Sequence, residues 1–444
     1  MIGINSDGGP PRRYRFAEAR ADIAYEQRRA RRLLRERMPP SEVTNPILSF
    51  QQIVSPENLL RVFREMRVTS GPAPGVDGLT YDDFTITEVA AILRAVSLAI
   101  LAHQYKPYPT RLCRIPKDAH RYRELRLRTI IDRVAAAALA QALSALWNRY
   151  FLPGSFGFRP GCNTWHFLAA VDGAVARQGR QVLAQDDVQN AFPSAPIVAV
   201  MDAVRHFTED ENILWLIDTI ARGDEGAAHT VGLDQGCPLS PVLMNVLLHI
   251  VLDRPFTADS DNPLWYRYVD NLCYLCSSVS EGHRAIRRAT ELLSPAGLQL
   301  KGQDGPPIDL RRQGAHVKIL GFTLSLKDDR IQLGTTSKAW QHLRQSLMEA
   351  HEAPNPARTA TQVAQGWLEA QGPALESASV TGILTRMLSM AALTGFREIG
   401  HQAWEQIAQN AHQRWLAVRN ASVSISDGSR EGTAGRSAPV LTHH

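Results

Sequence analysis

Two acidic side chains each follow an apolar stretch that is typical of a β-strand. Asp187 comes after Val182-Leu183-Ala184, and Asp270 comes after Tyr268-Val269. Between them, Gln235-Gly236 forms a glycine turn that leads into an apolar helix with a proline near its start. Strands and helices in this order predict a mixed α and β fold in which both carboxylates stand at strand ends.

Carboxylates at the ends of adjacent strands suit a two-metal phosphoryl-transfer site. Extension of a nucleic acid requires attack of a 3′-hydroxyl on the α-phosphorus of a nucleoside triphosphate, and charge develops on both the entering and the leaving oxygens. Two Mg²⁺ ions about 3.5–4 Å apart stabilise both charges, and Mg²⁺ prefers carboxylate oxygens together with water and substrate phosphate. One carboxylate from each of two strands is therefore a sufficient protein contribution to the binding of these ions.

A series of short blocks surrounds these carboxylates in a fixed order. The blocks are Gly75-Val76-Asp77-Gly78 with Asp83-Phe84, Ile115-Pro116-Lys117 with Arg123, Thr129-Ile130-Ile131-Asp132-Arg133, Ser155-Phe156-Gly157-Phe158-Arg159-Pro160-Gly161, Asp187-Val188-Gln189-Asn190-Ala191-Phe192, Gln235-Gly236-Cys237-Pro238-Leu239-Ser240-Pro241, Tyr268-Val269-Asp270-Asn271 and Ile319-Leu320-Gly321-Phe322. Together they resemble the reverse transcriptase family, specifically the prokaryotic branch related to group II intron enzymes. The resemblance depends on the order of the blocks, since any one of them is weak evidence.

The resemblance implies an α+β fold of the right-hand polymerase type. Such a fold has fingers and a palm, whose antiparallel sheet packs on helices, followed by an all-helical thumb. The implied domains are a basic N-terminal arm (1–40), fingers with the start of the palm (41–180), the palm with its three motifs and primer-grip hairpin (181–333), the thumb (334–420) and a disordered tail (421–444).

Local patterns predict individual elements. Apolar residues at helical spacing predict a helix over 88–103 with Thr87 as its N-cap, and an alanine-rich helix over 135–150. From residue 337 onward the pattern predicts helices only. The last of them spans 401–418, and the tail that follows is rich in serine, glycine and threonine.

The resemblance also implies the metal-binding residues. It assigns Asp187 and Asp270 as catalytic ligands of two Mg²⁺ ions, for which Mn²⁺ can substitute, and it includes Val188 in the metal site. Asp186 competes with its neighbour, but the family has an aromatic residue five positions after the catalytic aspartate, and Phe192 satisfies that spacing for Asp187. The alternative for Asp187 is that it caps a turn.

Further residues are implied to bind the nucleotide and the primer. They are Lys117, Arg123, Phe192, Gln235 and Gly236 for the nucleotide and Leu320, Gly321 and Phe322 for the primer grip. Phe192 resembles the steric gate that favours deoxynucleotides, and a core phenylalanine is the alternative. Lys117 and Arg123 lie six residues apart on a predicted hairpin and would bind one triphosphate together. The alternative is a solvated hairpin whose charged side chains bind no ligand. Gly236 lets the backbone approach the nascent base pair because glycine has no Cβ.

Two positions depart from the family pattern. The second catalytic aspartate is usually followed by another aspartate, and here Asn271 follows instead. We keep Asn271 among the catalytic residues because an amide oxygen can still reach a metal or its water, but the lost charge predicts weakened metal affinity. Relatives also have a lysine seven residues beyond Gly297, where this chain has Asp304, and Lys301 could replace that lysine only if the loop shifts.

Charge and cysteine usage indicate partners and location. Residues 1–40 hold ten arginines against five acidic residues, an excess equal to the formal net charge of +5 of the whole chain. Such a cluster attracts phosphate backbones, and a solvated helix face is the alternative. Five cysteines, no secretory leader and no apolar run long enough to cross a bilayer predict a cytoplasmic protein without membrane contact. Cys273 and Cys276 lack a second cysteine pair, so we interpret them as buried strand thiols.

Two classes of function agree with these patterns. The first is an RNA-directed DNA polymerase that uses an RNA template, a DNA or protein primer and dNTPs. By analogy with family members it would act in anti-phage defence with a noncoding RNA, and with a second protein or by self-assembly. The second is a catalytically weak nucleic-acid-binding scaffold or partner of a second polymerase. A group II intron-type maturase is a further alternative, although no Cys/His nuclease cassette follows the predicted thumb.

Overall fold

The computed structural model describes residues 49–116, 122–302, 305–376, 379–401 and 403–428. The helices are α1 (Phe50–Ile53), α2 (Pro56–Thr69), α3 (Ile86–Leu101), α4 (Ile130–Trp147), α5 (Thr164–Gln178), α6 (Ala191–Ser194), α7 (Ile197–Arg205), α8 (Glu211–Arg222), α9 (Ser240–Leu248), α10 (Arg254–Ala258), α11 (Val279–Leu293), α12 (Ser337–Glu349), α13 (Pro356–Ala370), α14 (Val380–Leu393) and α15 (Trp404–Gly428). The strands are β1 (Arg111–Pro116), β2 (Tyr122–Leu127), β3 (Val182–Asp187), β4 (Leu264–Tyr268), β5 (Asn271–Cys276), β6 (Ile308–Asp309), β7 (Val317–Ile319), β8 (Phe322–Lys327) and β9 (Arg330–Thr335).

Contacts within the chain divide it into two compact units. The first contains the described part of Met1–Phe151 together with Asn190–Val251 and Pro295–Leu298. The second contains Leu152–Gln189, Leu252–Ser294 and the described part of Gln299–His444. Each unit is thus built from several separate segments of the chain. The predicted domain limits stay a prediction. The basic arm over 1–40 lies outside the described residues.

The first unit has a helical core formed by α2, α3 and α4. Their apolar faces meet around Leu59, Leu93 and Ile130, which are fully buried. Helix α3 begins after Thr85, whose hydroxyl accepts from the Glu88 amide while the Glu88 carboxylate accepts from the Thr85 amide. This is a capping box. The prediction of Thr87 as the cap is wrong, because Thr87 lies inside the helix.

Helix α4 begins five residues earlier than the alanine-rich pattern predicted. The Thr129 hydroxyl caps it by accepting from the Asp132 amide. With the turn that follows, Ile130–Tyr150 is long and apolar enough to cross a membrane by length and composition alone, and 67% of its apolar window is buried inside the protein. The expectation that no apolar run has this length was wrong. The burial is typical of a core helix, and the absence of membrane contact stays a prediction.

The second unit contains a four-stranded sheet in the order β4-β5-β3-β6, with neighbouring strands antiparallel. One face of the sheet, with Leu183 and Leu275, packs on α5. Ala184 points to the other face, where Gly282 of α11 approaches so closely that a Cβ at Gly282 would lie 3.1 Å from the Ala184 Cβ. Helices therefore cover both faces. Cys273 and Cys276 in β5 are fully buried, and burial raises the pKa of both thiols to about 12.

A three-stranded antiparallel sheet in the order β7-β8-β9 follows, and the described chain beyond it is helical. Helices α12 to α15 share an apolar core that includes Trp340, Leu368 and Trp404. The predicted α+β class with a palm-like antiparallel sheet and a helical C-terminal segment is confirmed. Helix α15 continues to Gly428, so the disordered tail was predicted to begin too early at residue 421. Residues 429–444 lie outside the described residues.

Candidate active site

The ends of β3 and β5 bring the two predicted catalytic carboxylates to one edge of the sheet. Asp187 lies opposite Asn271 in the antiparallel register. The amide of Val188 donates to the carbonyl of Asp270 at 3.0 Å. Asp270 belongs to the two-residue turn between β4 and β5. Since opposed residues of an antiparallel pair have Cα atoms about 4.5–5.5 Å apart, Asp187 and Asp270 are neighbours across the strand ends.

The neighbouring carboxylates of Asp186 and Asp187 have different surroundings. Successive strand residues point to opposite faces, and Asp186 is buried, at 4% exposure. Its carboxylate accepts from the Gly302 amide at 3.1 Å and from the Asp187 amide at 2.8 Å, and burial raises its pKa. The Asp187 side chain is 31% exposed. Asp187 is therefore the carboxylate of the two that solvent and ions can reach.

A short extended segment lies beside Asp187. The Lys301 amide donates to the Asp187 carbonyl at 2.8 Å, and the Gln189 amide donates to the Gln299 carbonyl at the same distance. The Lys301 ammonium lies 3.6 Å from Asp187 Oδ2. Sequence reasoning gave this lysine only as a weak substitute for a family residue, and the structure brings it to the carboxylate. Asp304 lies outside the described residues.

Asn271 contacts Asp270 through its amide nitrogen. Nδ2 donates to Asp270 Oδ1 at 3.2 Å and to the Tyr268 carbonyl at 3.4 Å. The sequence favoured an amide oxygen directed at a metal, and the observed group is instead a donor that faces the carboxylate. Because an aspartate at this position could not donate such a bond when ionised, Asn271 orients Asp270 in a way that the usual family residue does not.

The turn that carries Asp270 has an unusual backbone. Val269 has φ +59°, in a region that is unfavourable for a β-branched residue. A positive φ at the first turn residue alone is typical of a type II′ hairpin. Gly157 packs on this turn so tightly that a Cβ there would lie 2.4 Å from Val269 Cγ2 and 2.5 Å from the Val269 nitrogen. The glycine of the Ser-Phe-Gly-Phe-Arg-Pro-Gly block is thus required by contact with the turn.

The donor set fits Mg²⁺ that is completed by substrate. Among the described ranges, no group of three or more His, Cys, Asp or Glu side chains is placed to hold a metal ion. Mg²⁺ at polymerase sites needs one or two carboxylates, with water and substrate phosphates as the remaining ligands, and Asp187 with Asp270 meets that need. The Val188 side chain is apolar and buried, so only its backbone carbonyl offers an oxygen.

Phe192 lies in the first unit, on the short helix α6. Asn190 before this helix has φ +45°, and the Phe192 carbonyl accepts from the Leu233 amide at 2.8 Å. The aromatic side chain is half-buried. The hydrogen bond brings the backbone of Phe192 next to a residue that is two positions before Gln235, so two of the predicted nucleotide-binding elements are neighbours within this unit.

Strand β2 holds the Gln235-Gly236 turn in place. The Arg126 amide donates to the Gln235 carbonyl at 3.0 Å. Gly236 has φ +117°, and a Cβ there would lie 3.2 Å from the Arg126 carbonyl oxygen. The buried guanidinium of Arg128 binds the carboxylate of Asp234 at 2.7 Å. The sequence gave no signal for this ion pair, because its partners are separated by more than a hundred residues.

The fingers residues are described only in part. The hairpin of β1 and β2 is confirmed, with Ile115 opposite Arg123. The Arg123 side chain is exposed, as a residue that binds a soluble triphosphate must be. Lys117 lies outside the described residues, and the convergence of Lys117 and Arg123 on one triphosphate stays a prediction.

The predicted primer grip is a tight hairpin between β7 and β8. Leu320 and Gly321 both have positive φ, at 47° and 87°, which is typical of a type I′ turn. The Thr336 hydroxyl donates to the Gly321 carbonyl at 3.1 Å. Phe322 is buried, with 5% exposure, in the core of the second unit. Its side chain therefore packs the hairpin onto the core. The partly buried Leu320 packs against the same core, and Gly321 is the exposed residue of the turn.

Comparison with known proteins agrees with this geometry. Residues 115–303 match the family model described as reverse transcriptase (RNA-dependent DNA polymerase). Residues 115–303 therefore form a reverse transcriptase domain. The match includes β3, the turn of β4 and β5, and Lys301, so the two aligned carboxylates lie inside the family's domain. Across these matched residues, the α+β fold is that of a right-hand polymerase.

Two curated proteins are similar to this chain. Protein YkfC of Escherichia coli (strain K12) is 28% identical over 241 residues, which cover 50% of this chain and 63% of that protein. The putative COX1/OXI3 intron 2 protein of Saccharomyces cerevisiae is 22% identical over 248 residues, which cover 52% of this chain and 28% of that protein. The chain thus spans less than two thirds of the length of either relative.

Solved structures to which the chain shows some similarity include two telomerases. Apo telomerase from Candida tropicalis has a TM-score of 0.43 at 10% identity, with 74% of this chain and 72% of that chain covered. Telomerase from Candida albicans, in complex with a fragment of telomeric RNA, has a TM-score of 0.39 at 10% identity, with 74% and 67% covered.

Proposed function

We propose that this chain is an RNA-directed DNA polymerase that adds deoxynucleotides by two-metal phosphoryl transfer. The observation that supports the proposal most strongly is the alignment of Asp187 with the Asp270 turn across β3 and β5, inside the matched family domain. A structural role alone does not explain why two carboxylates, one of them 31% exposed, stand together at one sheet edge.

Neighbouring residues of the chain would fix the positions of these two carboxylates before a metal ion binds. Bound Mg²⁺ would stabilise charge on the entering and leaving oxygens. The Asn271 amide donates to one carboxylate oxygen of Asp270. Backbone hydrogen bonds from Lys301 to the Asp187 carbonyl and from Val188 to the Asp270 carbonyl hold the strand end that carries Asp187. The Lys301 ammonium offsets part of the negative charge of Asp187. Carboxylates held in this way bind a cation without first having to rearrange.

Residues of the first unit would select the nucleotide. The half-buried Phe192 would exclude a 2′-hydroxyl, the exposed Arg123 would bind the triphosphate, and the Gln235-Gly236 turn would approach the base pair. This assignment is supported by two backbone hydrogen bonds. The Leu233 amide donates to the Phe192 carbonyl, and, two residues further on, the Gln235 carbonyl accepts from the Arg126 amide. A template of RNA and a primer of DNA or protein complete the proposed substrates.

A primer-extension assay tests the proposal. Purified protein is given an RNA template, a DNA primer, dNTPs and Mg²⁺ or Mn²⁺, alongside the variants Asp187→Asn and Asp270→Asn. We expect extension by the wild type and only background extension by both variants. The matched control is Asp202→Asn, which removes an exposed carboxylate on α7 that pairs with nearby Arg205 at 2.8 Å. Extension by the two site variants at the control's rate would refute the assignment.

A catalytically weak nucleic-acid-binding scaffold is the second candidate. It is supported by Asn271, which supplies a donor where the family usually has a further carboxylate. Tight RNA binding without any extension by the wild type, in Mg²⁺ and in Mn²⁺, would favour it. A maturase role would instead require binding to one intron RNA.

We also propose that the protein acts in the cytoplasm in anti-phage defence, together with a noncoding RNA. This part rests on likeness to family members and not on a feature of the site. Sequencing of nucleic acid that co-purifies with the protein would identify the RNA. Phage plating on cells with the wild type or Asp187→Asn would test defence, and equal plaque numbers would refute a catalytic role in it.

A further inference from the structure

The turn that carries Asp270 is held by a buried arginine. Arg267 lies in β4, three residues before Asp270, and is 0% exposed. Its Nε and Nη2 donate to the two carboxylate oxygens of Asp253 at 2.9 and 2.6 Å. Its Nη1 donates to the carbonyl of Val269 at 2.9 Å, and Nη2 also donates to the Ser155 hydroxyl at 2.9 Å. One guanidinium thus joins three separate segments of the second unit.

The backbone around Arg267 strengthens the same connection. The Phe156 amide donates to the Arg267 carbonyl at 2.9 Å, and the Arg267 amide donates to the Gly154 carbonyl at 2.8 Å. Asp253, also 0% exposed, ends a five-residue π-helical turn that begins at His249. Such turns are rare in proteins, and those that occur often lie at functional sites.

A buried ion pair is weak evidence of a contribution to stability, because apolar side chains of similar volume often stabilise a core as well or better. The partners of Arg267 indicate a different purpose. Its Nη1 binds the carbonyl of Val269, whose positive φ is unfavourable and persists only when surrounding contacts determine it. That carbonyl belongs to the peptide bond that enters Asp270.

We propose that Arg267 is the positioning residue of the catalytic turn: through Asp253, Ser155 and the Val269 carbonyl, it fixes the direction in which Asp270 presents its carboxylate. The guanidinium is fully buried and does not itself reach a metal or a nucleic acid. This inference rests on the proposed function, since it assigns Asp270 to metal binding. Partners that orient a ligand in this way are typically worth about 10- to 100-fold in metal affinity or activity.

The test compares Arg267→Lys with a matched control. Lysine keeps the charge but cannot form the planar, forked set of bonds. The control is Arg419→Lys, because Arg419 makes the same kind of forked contact, at 2.8 and 3.3 Å, with the buried carboxylate of Asp172 in the same unit. Mn²⁺ binding is measured by electron paramagnetic resonance, and hydrogen exchange is measured for the amides of residues 268–272.

We expect Arg267→Lys to weaken Mn²⁺ binding about 10- to 100-fold and to speed amide exchange in the turn, while Arg419→Lys changes neither. Ser155→Ala removes a single bond to the guanidinium and leaves the ion pair in place, so it should fold even if Arg267→Lys does not. It should weaken Mn²⁺ binding by about twofold or more.

Wild-type Mn²⁺ binding and wild-type exchange in Ser155→Ala, or in a folded Arg267→Lys, would overturn the positioning role. An equal loss in the Arg419→Lys control would do the same, because it would indicate general destabilisation. If the wild type itself binds no Mn²⁺, the proposed function fails. The exchange data then still decide whether Arg267 holds the turn.

Discussion

Replacement of Gly157 by alanine should destabilise the protein by a predictable amount. The new Cβ would lie 2.4 Å from Val269 Cγ2 and 2.5 Å from the Val269 nitrogen, and a backbone atom cannot move aside as a flexible side chain can. Overpacking of this kind costs about 1–3 kcal/mol. The reduced entropy of the unfolded chain returns about 0.4–1 kcal/mol. Because the clash involves a backbone atom, the cost lies in the upper half of its range, and the expected net loss in the free energy of unfolding is about 1–2.6 kcal/mol.

The assay is urea unfolding followed by tryptophan fluorescence, with Gly366→Ala as the control. Gly366 lies inside α13, and a Cβ there would meet nothing within 4 Å. Alanine should therefore stabilise the helix by about 0.5–1 kcal/mol, a change of opposite sign. Because Gly157→Ala displaces the turn of Asp270, its polymerase activity should fall further than its folded fraction. A Gly157→Ala protein as stable as the wild type would refute the contact.

Three further substitutions have defined outcomes. Asn271→Asp replaces a donor by a charge beside Asp270 and should lower the Mg²⁺ concentration for half-maximal extension; an unchanged Mg²⁺ titration would contradict our account of the amide. Phe192→Ala should increase incorporation of ribonucleotides in competition with deoxynucleotides, and unchanged discrimination would remove this residue as the gate. Thr85→Ala should cost about 1 kcal/mol in urea unfolding through loss of the cap, while Thr87→Ala should change little; equal effects would contradict the capping box.

Local chemistry made the strand ends and the carboxylate pair predictable. The alternation of strand side chains already separates Asp186 from Asp187, and the buried strand of Cys273 follows from its apolar neighbours. The capping box at Thr85 was also visible, because Glu88 stands three residues after it. Two threonines compete at that helix start, and only the reciprocal bond to glutamate distinguishes them.

Contacts between distant segments could not be predicted in the same way. The partners of Arg267 lie 14 and 112 residues away in the chain, and no local pattern marks a buried ion pair. The Ile319-Leu320-Gly321-Phe322 block predicted a primer contact for Phe322, but its ring is buried in the core of the second unit. Burial and pairing of this kind depend on which elements pack together, and they become visible only in the folded chain.

Anomalous scattering from Mn²⁺ would test the central claim most directly. Crystals of the protein with a template-primer and a non-hydrolysable dNTP analogue would be soaked in Mn²⁺. Our account predicts anomalous density in direct contact with the carboxylates of both Asp187 and Asp270. Ordered substrate with Mn²⁺ bound elsewhere, or with these two carboxylates turned away from the metal, would contradict it.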